Sequence, residues 1–402
     1  MSLLRYGYVS GPVIGAIWLF VLATTISVTM SFATGDAFRP ALVSSLVLGA
    51  LAGWIAVTPQ NKTTKIAMIS ALVFATSLTG FGPTVMQSTA TSQGFVAILL
   101  ALVMGWSIVS IMAAVPFGSL SRHEMEEAWI RFLTGFGYIF FTAIVLIPFY
   151  VMVMTSLKSQ SDLLQNPLDF SLDFDKGAAL FRSYYELFRD FNFGTYMWTS
   201  FYVSVLTVLI TLAFSIPGAY AVARLNFRGQ KAFSRSILLI YMVPMIVLAL
   251  PIYIAFSVTG LRNTVIGIIL IYPVTTIPVA LYMLQGYFRG LPPEVEEAGL
   301  MDGLNRLQVI WKITLPLALP ALASVSLYVF MIAWNEFLLA FMLLDDPSKF
   351  TLTRGVAMLN SSEIPREHLM AGAVIATVPV MVLFLGLEKF MTKGLTAGSV
   401  KG

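Results

Sequence analysis

Ten apolar runs, each long enough to reach across a bilayer, take up most of this 402-residue chain. They lie at about 8–32, 41–58, 66–88, 94–117, 132–157, 198–223, 236–258, 264–288, 315–344 and 370–392. A helix rises about 1.5 Å per residue, so about 20 apolar residues cross a hydrocarbon core about 30 Å thick. Glu336 in the ninth run and the Glu388–Lys389 pair closing the last are the only formal charges in the set. Lipid offers no partner to an unpaired amide, so such runs have to be helical. The fold expected is an all-α polytopic membrane protein with about ten transmembrane helices.

Composition excludes a soluble globule. Charged residues make up 11% of the chain, against about 25% in ordinary soluble domains. Thirty Phe and a hydrophobic share of 58% leave too little polar surface to cover a water-exposed fold.

Several chemistries are excluded as well. The chain has no Cys and two His, His123 and His368, which fall in loops on opposite sides of the membrane, so no metal site is expected. Gly398–Gly402 lacks the spacing of a phosphate-cradling loop, and the sequence holds neither a zinc-protease His pair nor a Gly-x-Ser-x-Gly elbow. The chain is therefore expected to bind no cofactor and to catalyse no reaction itself. A net charge of +4 without basic clusters gives no support to a nucleic-acid partner.

Orientation follows from the distribution of basic residues. Fifteen of the 24 Lys and Arg residues fall on one side, and the other side keeps five once the long segment 158–197 is discounted. This places both termini in the cytoplasm. The first run is too long for a signal-peptide core and reads as a retained helix.

Two blocks are expected, joined by the charged stretch 119–131. Residues 1–118 read as a four-helix extension, in which Gly11 with Gly15 and Gly49 with Gly53 have the one-turn spacing that lets helix backbones approach. Residues 132–402 read as a six-helix core with outward loops at 158–197 and 345–369.

The most informative stretch is the inward loop 291–316. Pro292 and Pro293 favour a helix start, and Glu294, Glu296 and Glu297 sit where a helix N-terminus stabilises negative charge. Val295, Ala298 and Gly299 fall on one small apolar face, and Gly303 lets the chain turn. Leu307, Ile310 and Trp311 then lead to Leu315–Pro316. The loop offers a compact cytoplasmic knob.

This loop resembles that of the inner-membrane permease subunits of ABC importers, whose hallmark is Glu-Ala-Ala, three residues, Gly, nine residues, Ile, one residue, Leu-Pro. Here the positions read Glu297–Ala298–Gly299, Gly303, Ile313 and Leu315–Pro316. Further stretches resemble the carbohydrate importers, and among them the maltose type: Ile147–Pro148 with Thr155–Ser156–Leu157–Lys158, Ala219–Tyr220–Ala221 with Arg224, Phe227–Arg228–Gly229, Trp334–Asn335–Glu336–Phe337, and the tail 393–402. The resemblance covers about 132–402 and leaves the first four runs outside it.

The resemblance implies a heterodimer with a second permease, two ATPase subunits that hold ATP and Mg²⁺, and an extracytoplasmic sugar-binding protein. It implies an ATPase-coupling contact at Glu297, Ala298, Gly299, Asp302 and Gly303, and a tail contact to the ATPases at Ala397, Gly398, Ser399 and Lys401. It further implies a reach into the binding protein by Asn360, Ser361, Ser362 and Glu363 in the loop 345–369. Glu336, an ionisable group inside an apolar run, reads with Asn335 as pathway or gate, and Tyr282, Ser324, Ser326 and Thr377 as polar candidates along the pathway. A rival reading, a stand-alone secondary transporter or channel, calls for paired ionisable groups near the midplane and for internal repeats. The sequence offers one such acid and no clear repeat.

Overall fold

The computed structural model describes residues 6–165 and 170–396. It divides into two compact units, Met1–Leu180 and Phe181–Gly402.

The first unit holds α1 (Gly7–Thr34), β1 (Ala37–Pro40), α2 (Leu42–Val57), α3 (Lys62–Leu78), β2 (Thr84–Gln87), α4 (Ala90–Ile111), α5 (Arg122–Ser156) and α6 (Gln160–Gln165). Helices α1 and α2 meet through their glycines. A Cβ on Gly15 would stand 2.3 Å from the Gly49 carbonyl oxygen, and one on Gly53 would stand 2.0 Å from that of Gly11. The paired small residues thus admit backbone against backbone, as their spacing predicts. Behind this contact Trp18 donates its indole N–H to Ser107 Oγ at 2.7 Å, in a core with Leu19, Leu100, Met104 and Ile108.

Two expectations for this unit change. The chain is not purely helical, because β1 and β2 pair antiparallel from Ala37↔Gln87 to Pro40↔Thr84. The run 66–88 stays helical only to Leu78; Gly80 at φ 79° and Gly82–Pro83 stop the helix, and the residues beyond satisfy their amides on β1. The stretch 119–131, expected as a cytoplasmic linker, is helical from Arg122. From Arg122 it is the start of the 35-residue α5, opened by a capping box between Ser121 and Glu124 and braced by Arg122–Glu126 and Arg131–Glu127 pairs one turn apart. The boundary between the two compact units falls at 180/181, so α5 lies in the first.

The second unit holds α7 (Arg182–Asp190), α8 (Phe193–Arg224), α9 (Gln230–Tyr241), α10 (Met245–Val258), α11 (Val265–Gly290), α12 (Pro293–Met301), α13 (Arg306–Val309), α14 (Leu315–Leu317), α15 (Leu319–Asn335), α16 (Leu338–Leu343), α17 (Leu352–Met358) and α18 (Arg366–Thr396). Its centre is α8 against α11, with α15 beside both. The face of α8 turned inward carries Ser200, Ser204, Thr207, Thr211 and Ser215, all buried, and Thr211 hydrogen-bonds Thr276 of α11 at 2.6 Å. Two apolar clusters sit at opposite ends of these helices. One gathers Phe193, Tyr196, Tyr272, Trp334 and Leu343, the other Ala219, Tyr220, Leu284, Phe288 and Ala318.

Among the described residues six helices are long and apolar enough to cross a membrane, or seven if the pair Arg306–Leu317 and Leu319–Asn335, bent by 79°, is one span. The run 236–258 is broken before Pro244, which lacks an N–H and caps the N-terminus of the 14-residue α10. The run 315–344 ends as a helix at Asn335, because Glu336 leaves helical geometry at ψ 124°.

Candidate functional site

The knob predicted between the eighth and ninth runs is α12. Pro293 occupies the first helical turn, where its missing N–H costs nothing, and Glu294 and Glu296 stand at the positive end of the helix. The helix stops on a Schellman motif: Gly303 N–H donates to Leu300 O and Leu304 N–H to Gly299 O, both at 3.1 Å, with Gly303 at φ 86°. Only a residue without Cβ takes that conformation freely.

The hallmark residues divide between two faces. Glu297, Ala298, Asp302 and Gly303 are exposed, together with Val295 and with Met301 at 87% exposure. Gly299 faces the other way and is buried; a Cβ there would meet Ile313 Cδ1 at 2.4 Å and Leu304 Cδ1 at 3.5 Å. The expectation of one small face made of Val295, Ala298 and Gly299 is therefore corrected. Gly299 serves the knob's own packing, while Ala298 remains on the free side.

Sequence reasoning missed the residue that anchors the knob. Glu296 is 4% exposed. Its carboxylate accepts from Tyr220 Oη at 3.2 Å and from Thr314 Oγ1 at 3.0 Å, and it lies 3.4 Å from Arg224 Nε. Arg224 Nη2 donates to the Leu291 carbonyl at 2.7 Å. Neighbours on a helix point about 100° apart, so of the adjacent acids 296 and 297 one faces in and one out. That angle was the available signal.

Asn335 and Glu336 do not bond to each other. The Asn335 amide donates to Met331 O in its own helix, and the half-buried Glu336 carboxylate accepts the N–H groups of Leu339 (2.8 Å) and Ala340 (3.2 Å), capping α16. Thr377 donates to Ala373 O and Ser324 to Pro320 O, both along their own helices. Ser326 is half-buried and Tyr282 is 52% exposed. Among the six candidates, Asn335 and Glu336 follow Trp334, whose indole N–H donates to Ala376 O beside Thr377, while Ser324 and Ser326 flank Val325 of the second cluster and Tyr282 follows its Leu281. An apolar cavity of about 650 Å³, lined by Phe188, Trp198, Phe201, Phe330 and Trp334 among others, includes none of them.

At the other end of the unit Asn360, Ser361, Ser362 and Glu363 are all exposed, on a turn between α17 and α18. The turn is held from below, where Thr353 Oγ1 donates to Glu336 O (2.7 Å), Ser200 Oγ accepts Leu352 N–H (2.7 Å), and the Arg354 guanidinium covers Phe341 and Phe350. Ala397, Gly398, Ser399 and Lys401 lie outside the described residues.

Comparison with known proteins assigns the family. Residues 215–396, which contain α12 and its anchors Tyr220 and Arg224, match the binding-protein-dependent transport system inner membrane component. An inner membrane ABC transporter permease of Escherichia coli K12 is 36% identical over 274 residues, 66% of this chain and 95% of its own length. A trehalose/maltose transport system permease of Thermococcus litoralis is 32% identical over 281 residues, 69% of this chain and 99% of its own. Among solved structures, a bacterial ABC transporter involved in the import of the acidic polysaccharide alginate matches with TM-score 0.56 at 25% identity, over 67% of this chain and 98% of that one. This chain accordingly belongs to the multi-pass inner-membrane permease subunits of binding-protein-dependent ABC transporters.

Proposed function

We propose that this chain is one of two permease subunits of an ATP-driven sugar importer, and that α12 is where the motor subunits push. The exposed face of Glu297, Ala298, Asp302 and Gly303, projecting from a helix fixed on its other side by Glu296, is the observation that carries this reading. Small side chains let a partner helix or cleft approach closely, and Glu297 offers a charge for a basic residue across the joint.

In this reading about ten helices span the membrane, with both termini cytoplasmic and the first four forming an extension to the six-helix core. Two ATPase subunits hold ATP and Mg²⁺, this chain holds neither, and the tail residues Ala397, Gly398, Ser399 and Lys401 reach the ATPase pair. A binding protein delivers solute on the outside, where Asn360 to Glu363 meet it. Closure of the ATPases favours the outward-open state through contacts with α12 that differ between the two states, which is alternating access driven by differential binding. The sugar assignment leans on relatives such as the trehalose/maltose permease and an arabinooligosaccharides transport system permease of Halalkalibacterium halodurans.

Deleting this chain from its host tests the substrate class. Uptake of radiolabelled trehalose, maltose or arabino-oligosaccharide falls by at least tenfold for one of the three and returns with the gene on a plasmid. Unchanged uptake of all three, together with loss of uptake of a non-sugar solute, would remove the sugar assignment.

A further inference from the structure

We infer that Glu296 is the rigid link through which movement of α12 reaches the membrane-spanning helices, a positioning role separate from the docking face. One carboxylate draws together four segments: the last turns of α8 through Tyr220 and Arg224, the α11–α12 connection through Arg224 and the Leu291 carbonyl, α12 itself, and the approach to α14 through Thr314. The side chains of Arg224 and Glu296 are 12% and 5% exposed, so the pair is largely shielded from water and from salt. Tyr220 also packs edge-on against Phe288 at 6.4 Å between ring centroids, which ties the carboxylate to the end of α11.

Beside this carboxylate, α12 is held by the packing of the buried Gly299 against Ile313 and Leu304. α12 is nine residues long, too short to hold its shape alone, and it ends on the Schellman turn at Gly303. A push on Glu297 from the cytoplasm would simply tilt such a helix unless something stiff joined it to α8 and α11. Glu296 supplies that stiffness on the inner face, one residue from the docking face. Losing it leaves Glu297, Ala298, Asp302 and Gly303 exposed for a partner while disconnecting them from the spans.

This inference rests on the ATPase-docking reading, and the experiment separates the two. The complex is purified from host membranes, and amide hydrogen exchange is followed in 220–226 and 294–302 before and after trapping with ATP and vanadate. In the wild type both segments change exchange rate by at least fivefold. In Glu296→Gln, which keeps an acceptor oxygen for one of Tyr220 and Thr314 and loses the charge facing Arg224, residues 294–302 still respond and 220–226 do not. A fivefold response of both segments in Glu296→Gln overturns the link, and so does loss of the ATPases from that variant. Should Glu296→Gln fail to reach the membrane, Arg224→Lys, which keeps the charge but not the planar reach of the guanidinium, gives the same readout with the same two outcomes. Failure of the docking reading looks different: neither segment responds in the wild type.

Discussion

His368 Nε2 lies 2.8 Å from Glu186 Oε2, joining the first turn of α18 to α7 across 182 residues of sequence. Arg182 approaches the same carboxyl at 2.7 Å, and these partners, Arg182 foremost, hold Glu186 below the usual carboxylate range. A depressed acid stabilises the fold above its unfolded pKa, and the contribution is lost as pH falls through the lower, folded value. Protease cleavage within 181–191 should therefore rise as pH falls below about 4. His368→Ala removes a shielded bond to a charged group and should weaken the docking of α7 by about 1–3 kcal/mol, read as faster cleavage at neutral pH.

The two glycines of the knob should respond in opposite ways to substitution. At Gly299 the obstacle to a Cβ is the flexible end of Ile313, so Gly299→Ala, which restores the family's usual residue, should keep complex assembly near wild type. Gly299→Leu overfills the same space and should cost about 1–3 kcal/mol. At Gly303 a Cβ meets nothing within 4 Å, and the cost lies in the positive φ alone. Gly303→Asn should be tolerated where Gly303→Val is not. ATPase co-purification measures all four.

In the first unit, Gly53→Leu drives a side chain into the Gly11 backbone, which cannot move aside as a side-chain tip does. Separation of α1 from α2 should lower the melting temperature of the purified protein by several degrees, following a loss of about 1–3 kcal/mol or more. Gly94→Leu, on α4 with open space at its Cβ, is the matched control and should leave it unchanged.

Glu336 should prove structural before it proves ionic. Glu336→Ala leaves two N–H groups at the start of α16 without their acceptor, at about 1–3 kcal/mol each where water is absent. Glu336→Gln keeps one oxygen and should retain more than half of the stability lost in Glu336→Ala, measured by thermal unfolding in detergent. Equal loss in both would point to the charge.

How much of this was legible beforehand depended on whether a feature lives in local sequence. The exposed face of α12 was, because Glu297 and Gly303 belong to a motif with fixed spacing. The anchor was not: Glu296 looks like one more solvated acid at a helix start, and only the tertiary placement of Arg224, 72 residues earlier, makes it buried. The pairing of β1 with β2 escaped notice for a related reason. Apolar runs have no period in lipid, so hydropathy could not tell that helix 66–88 would stop at Leu78, although Gly80, Gly82 and Pro83 were visible breakers. The glycine pairs of α1 and α2 were readable as spacing, and their closeness emerged only in the fold.

In the proposed function a separate motor acts on this permease through α12. The direct measurement is solute uptake by proteoliposomes holding the full complex, with and without its ATPases, in wild type and in Glu297→Arg. ATP-dependent uptake is expected from the complete wild-type complex alone, with Glu297→Arg permease inserting normally but retaining less than a tenth of the ATPase. Uptake without any ATPase present, or ATPase bound at wild-type stoichiometry to Glu297→Arg, would contradict that function.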